Sequence, residues 1–201
     1  MSPPSTPHVS PSSLVGVTSA LVSYLSFRCA RRSDGFPGRP IRWPRIAVSR
    51  FSETLRRRNR ETAVWLSLLL WSALVSTLHF GGLEFGLYTR FYWWDLLTHG
   101  TSGVGVAVLL QLTFPGKRTS NASAGWIVPA VLSIGAGFEV YEFLFKTFWY
   151  TWSPEFYLTD TLLDLCFAGI GALAAVALTN TYLPRDVELE AAGTPLSALE
   201  E

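Results

Sequence analysis

Residues 92–114 read YWWDLLTHGTSGVGVAVLLQLTF. Aromatic side chains open the stretch, Asp95 is its only formally charged residue, and Pro115-Gly116-Lys117-Arg118 stops it. At 1.5 Å rise per residue, a helix of this length crosses a hydrocarbon core of about 30 Å. A membrane strand needs only about 9–11 residues and alternates in polarity. This run is too long and too continuously apolar for a strand, so it is read as a membrane-spanning helix. The acid near its start then needs an explanation.

Three similar runs flank it. Residues 62–80 carry no formal charge and two tryptophans, residues 125–145 follow the Lys117-Arg118 stop, and residues 158–182 are ended by Pro184. Aromatic residues gather at span ends (Phe91, Tyr92, Trp93 and Trp94; Phe148, Trp149, Tyr150 and Trp152), as they do at membrane–water interfaces. Composition agrees: 49% of the 201 residues are hydrophobic and 15% charged, against about 25% charged in an ordinary soluble domain. The predicted fold is all-α, a polytopic transmembrane helix bundle with four spans over residues 61–183.

The N-terminal third is less uniform. Residues 1–12 are rich in Pro and Ser and are expected to be disordered, as is the acidic tail over 184–201. Residues 13–27 contain an apolar run shorter than the roughly 20 residues of a full span. Its arginines follow rather than precede it, unlike a secretory signal. A fifth membrane segment, an interfacial segment and an unstructured one all remain open there. Eleven of the fourteen arginines lie between Arg28 and Arg60, so the net charge of +1 hides a strong segregation of sign. Residues 28–60 read as a basic linker on the cytoplasmic side, ending in a stretch (51–60) suited to an amphipathic juxtamembrane helix. Arg56, Arg57, Arg58 and Arg60 would draw anionic lipid head groups by about 1 kcal/mol each; the alternative, and the preferred one, is that they act as a topology signal alone. No nucleic-acid partner is expected, since arginines beside a span are ordinary topology signals. Cys29 and Cys166 offer neither a disulfide framework nor a metal-type spacing.

The positive-inside rule sets the predicted orientation. The arginines before the first span and Lys117-Arg118 between the second and third lie on the cytoplasmic side, as does the C-terminus of a multi-pass cell-membrane protein. The loops 81–91 and 146–157 lie outside. The Asn121-Ala122-Ser123 glycosylation pattern then falls inside and is read as chance.

The polar exceptions carry the chemistry. Asp95 and His99 are four residues apart, as are Asp160 and Asp164, while Glu139 and Glu142 are three apart. Each pair shares a helix face. The second and fourth spans carry their pairs near the N-terminal end and the third near its C-terminal end. Because successive spans alternate in direction, all three pairs reach one membrane surface, predicted to be the outer one, and His79 reaches it too. An Asp at a span centre costs about 2.5–3.5 kcal/mol; the cost here is smaller but still demands compensation. Arg90, Lys146, bound protons or a divalent cation could supply it. Oxygen-rich ligands suit Mg²⁺, Ca²⁺ or Mn²⁺, and an imidazole tilts the choice towards Zn²⁺, Mn²⁺ or Fe²⁺. The candidate metal ligands are therefore Asp95, His99, Glu139, Glu142, Asp160 and Asp164. The bland alternative is a hydrogen-bonded polar cluster that only holds helices together.

Trp94-Asp95-Leu96-Leu97-Thr98-His99-Gly100, Glu139-Val140-Tyr141-Glu142-Phe143 and Asp160-Thr161-Leu162-Leu163-Asp164 together resemble the YjdF-like family of uncharacterised membrane proteins, and more distantly the VanZ-like family. The resemblance covers about residues 62–182 and implies an integral membrane protein of four or more helices. It implies no reaction. No Gly-x-Ser-x-Gly elbow, His-Glu-x-x-His pair or Cys/His ligand box is present. The sequence leaves three readings: a site for a divalent cation or protons, a metal-dependent hydrolase of lipid-type substrates, and a structural cluster. The inner halves of the spans offer few polar groups beyond Ser67, Gln111 and Thr179, which disfavours a transport path.

Overall fold

The computed structural model describes residues 11–57, 60–115, 122–145 and 152–182. The Pro/Ser-rich start, the acidic tail, Lys117-Arg118, Asn121 and Lys146 lie outside these residues. Among the described residues the chain is helical, with no strand: α1 (Pro11–Arg32), α2 (Trp43–Arg57), α3 (Arg60–Glu84), α4 (Leu87–Arg90), α5 (Trp93–Thr113), α6 (Ala122–Phe145) and α7 (Pro154–Tyr182). Four are long and apolar enough to cross a membrane, over Glu61–Glu84, Trp93–Thr113, Ser123–Phe145 and Pro154–Thr181. These are the four runs expected from the sequence. The fourth starts earlier than the apolar run because Ser153 caps it: the Phe156 backbone N–H donates to Ser153 Oγ at 3.2 Å.

The four spans are held by small residues and a few polar links, because lipid provides little hydrophobic drive for helix association. α5 and α7 pack backbone to backbone. A Cβ added to Gly103 would overlap the carbonyl oxygen of Ala168, and one on Gly171 would overlap that of Gly100. Below this crossing, the buried Ala107, Ala172 and Ala175 continue the contact into the main core with Trp126, Ile127 and Val131 of α6. α3 sits on α5 more loosely, tied by Trp71 Nε1 donating to Thr101 O at 2.9 Å and Trp94 Nε1 donating to Leu78 O at 3.2 Å.

The region before the first span is more ordered than a linker. α1 runs antiparallel along α6. Gly16 lies against the Phe143 ring, Ser33 Oγ donates to Gly125 O at 2.6 Å, and between them two serines pair reciprocally. Ser23 Oγ donates to Ser133 O and Ser133 Oγ to Ser23 O, both at 2.8 Å. After α1, Phe36 and Trp43 join Phe114 and Trp126 in one aromatic cluster, with ring centroids 5.5–6.2 Å apart. The amphipathic helix starts at Trp43 rather than near Phe51, and buries Ile46, Arg50 and Thr54 along one face. The reason is that two aromatic residues among prolines and arginines give no periodic signal, yet they supply the anchor that orders the segment.

Glycine substitutions test the crossing. Gly171→Val should destabilise the bundle by about 1–3 kcal/mol or more, because the obstacle is backbone rather than a side chain. Gly81→Ala, in a helix where an added Cβ meets nothing within 4 Å, should be neutral or stabilising by up to about 1 kcal/mol. Thermal unfolding of the two variants in detergent reads the contrast.

Candidate functional site

The α5–α7 crossing fixes the site. Gly100 follows His99 and faces α7, and Gly171 lies two helical turns beyond Asp164. The close approach therefore carries the His99 imidazole to Asp164 of the neighbouring helix. His99 Nε2 lies 3.4 Å from Asp95 Oδ1, one turn earlier on its own helix, and 3.9 Å from Asp164 Oδ2. One donor atom from each of Asp95, His99 and Asp164 falls within 4.8 Å of the others. Two ligands about 2.1 Å from a tetrahedral zinc stand about 3.4 Å apart. The two imidazole–carboxylate separations are already close to that value.

α6 adds the fourth member. Glu139 is 1% exposed and Asp164 2% exposed. The Thr161 hydroxyl, one turn before Asp164, donates to Glu139 Oε2 at 3.1 Å. The remaining oxygens, Glu139 Oε1 and Asp164 Oδ1, are buried with no hydrogen-bond partner. Leaving a buried carboxylate oxygen unsatisfied is costly. Among the described residues, no Arg or Lys lies within ion-pairing distance of Asp95, Glu139 or Asp164. Arg90, one partner the sequence offered, is exposed.

A hydrogen-bonded chain approaches Asp95 from the α3 side. His79 Nδ1, at the end of α3, lies 2.8 Å from the Tyr88 hydroxyl. Tyr88 donates to Thr98 Oγ1 at 3.5 Å, the long end of the range, and Thr98 donates to the Asp95 carbonyl at 2.8 Å. Burial pushes the Tyr88 phenol up to about 12, so it keeps its proton and can act as the donor in this chain.

Of the six ligands expected from sequence, Asp95, His99 and Asp164 meet, and Glu139 stands beside them through Thr161. Asp160 and Glu142 are at the same end of the bundle, both half-buried, but outside the group of three. Sequence reasoning missed Thr98, Thr161 and Tyr88. The two threonines lie inside the acidic motifs and were overshadowed by their charged neighbours, while Tyr88 stands in a short loop helix without a pattern.

The non-site end is chemically quieter. Thr179 donates to the buried Gln111 side chain, about 18 Å along α5 from His99 at 1.5 Å per residue. Gln111 Nε2 and Trp126 Nε1 are buried there without a hydrogen-bond partner, but neither belongs to an ionisable side chain.

No curated protein and no solved structure matches the chain. The family model described as predicted membrane protein, DUF2238, matches residues 46–185. The match begins in α2 and takes in all four apolar helices and every member of the acidic cluster, leaving α1 outside it. The chain thus belongs to this family of predicted membrane proteins, the YjdF-like one, and is a multi-pass protein of the lipid bilayer.

Proposed function

We propose that this protein binds a divalent cation at one membrane face through Asp95, His99 and Asp164, with Glu139 as a neighbouring fourth carboxylate. The observation that carries the reading is Asp164: a carboxylate 2% exposed, with Oδ1 unpartnered, beside an imidazole and a second carboxylate. In a bilayer such a group must be neutralised by a proton, a cationic side chain or a metal. His99 can offset only one of the negative charges. One imidazole with two carboxylates suits Zn²⁺, Mn²⁺ or Fe²⁺ better than Mg²⁺ or Ca²⁺. The metal would leave positions open for water or for an oxygen of a substrate, as catalytic sites do.

The positive-inside rule supports one topology for this reading. The site faces outward, and the C-terminus and the exposed Arg45, Arg56 and Arg57 face the cytoplasm, where they meet anionic head groups. α1 is a fifth span. Its outward face carries Val17, Leu21, Tyr24 and Leu25, each more than half exposed, while its serines at 19 and 23 turn towards α6. That inside-out pattern suits lipid on one side and helix packing on the other.

Two experiments follow. Metal analysis of protein purified without chelators should find one transition ion per chain, and Asp164→Asn should lower its affinity by more than the roughly 10–100-fold typical of outer-shell losses. Metal-free Asp164→Asn should melt higher than metal-free wild type, because it removes an uncompensated buried charge. A structural cluster predicts no metal and a lower melting temperature for the variant under both conditions. For topology, a cysteine at Thr89 should react with an impermeant thiol reagent in intact cells, and one at Asp34 should not. An N-terminal epitope tag should be reached from outside. The reverse pattern contradicts the orientation, and a tag reached only after permeabilisation contradicts the fifth span.

A further inference from the structure

A cleft of about 500 Å³ opens between α3 and α6, floored by α5 and Ala168 of α7. Its volume is in the range of about 300–1,000 Å³ found for small-molecule sites. The walls change character along its length. Towards the bilayer centre they are Val75, Val106, Val131 and Ile134; at the site end they are His79, Thr98 and His99. From Val106 to His99 the helix advances about 10 Å, so the cleft extends from the apolar interior to the acidic cluster.

The polar end has a definite sign. Asp95, Glu139 and Asp164 do not line the cleft; His79, His99 and Thr98 do. His99 stands between the cleft and the carboxylates, with its Nε2 turned to Asp95 and Asp164. The two imidazoles flank the Phe138 ring, at 6.3 and 6.2 Å between centroids. Imidazoles at the surface and a cation behind them are complementary to an anionic oxygen. The remaining walls belong to spans, so the molecules with access to the cleft are those already in the membrane.

We propose that the cleft takes one hydrocarbon chain of a membrane amphiphile and presents its anionic head, a carboxylate or a phosphate, to His79, His99 and the cation at Asp95, His99 and Asp164. The seating of the chain depends on the cleft alone; the capture of the head rests on the cation reading given above. Apolar walls supply the affinity, and the imidazoles with the cation fix which end of the molecule stops at the site.

The test uses the full-length protein in detergent with two probes, a palmitate and a lysophosphatidate, each carrying a photoreactive diazirine at mid-chain. Both should label peptides containing Val106, Val131 or Ile134. Ile134→Trp and Ser102→Phe, changes at exposed residues that line the cleft, should cut labelling at least tenfold. Leu173→Trp, on the lipid-facing side of α7, should not. Preference for one probe identifies the head as carboxylate or phosphate. Labelling spread evenly over outward-facing helix surfaces, or unchanged in both cleft variants, overturns the proposal. Metal analysis of the same samples keeps the two readings apart. Metal-free protein that still labels at the cleft overturns the cation and leaves the chain site standing. Metal-loaded protein that labels only at random overturns the chain site alone.

Discussion

Gly103 on α5 and Gly171 on α7 let two helix backbones touch, and the position of His99 beside Asp164 follows from that contact. In lipid, apolar surface gains little by leaving one apolar neighbour for another, so shape and hydrogen bonding decide which helices meet. A side chain at either glycine would push the helices apart at the point where the acidic residues face each other. The crossing is therefore both the main structural joint and the device that creates the site. α6 completes it from the third side through the Thr161–Glu139 hydrogen bond, and α3 leans on α5 by two indole hydrogen bonds.

The two ends of the bundle solve different problems. At one end, Phe36, Trp43, Phe114 and Trp126 form an aromatic plug, and Thr179 donates to the Gln111 side-chain oxygen nearby. At the other end, buried carboxylate oxygens are left without donors. Native proteins rarely leave such groups unmatched unless something else meets them. The acidic cluster at one end, with a cleft entering from the bilayer, fits a site that meets membrane molecules better than a conduit through the membrane.

Much of this could be read from the chain. The four spans are continuous apolar runs of membrane length, and their ends are marked by aromatic residues or proline. Helix alternation alone brings Asp95, Glu139 and Asp164 to one surface, whichever way the protein faces. What could not be read is phase. Two acids three or four residues apart share a broad face, but only packing decides which turns inward; here Glu139 and Asp164 are buried while Glu142 and Asp160 are half-exposed. α1 was ambiguous for a related reason. Its inward serines lower its average hydropathy, although they are the groups that bond it to α6. The aromatic anchors Phe36 and Trp43 gave no signal because their partners lie some seventy residues away or more, in α5 and α6.

The ligand set can be read directly by X-ray absorption at the edge of whichever metal the purified protein carries. A cation held by Asp95, His99 and Asp164 gives a first shell of one imidazole nitrogen with carboxylate oxygens, at about 2.0–2.2 Å for zinc, and His99→Ala removes the imidazole scattering. A shell of oxygen alone in the unaltered protein, or a spectrum that His99→Ala leaves unchanged, contradicts a metal at this triad.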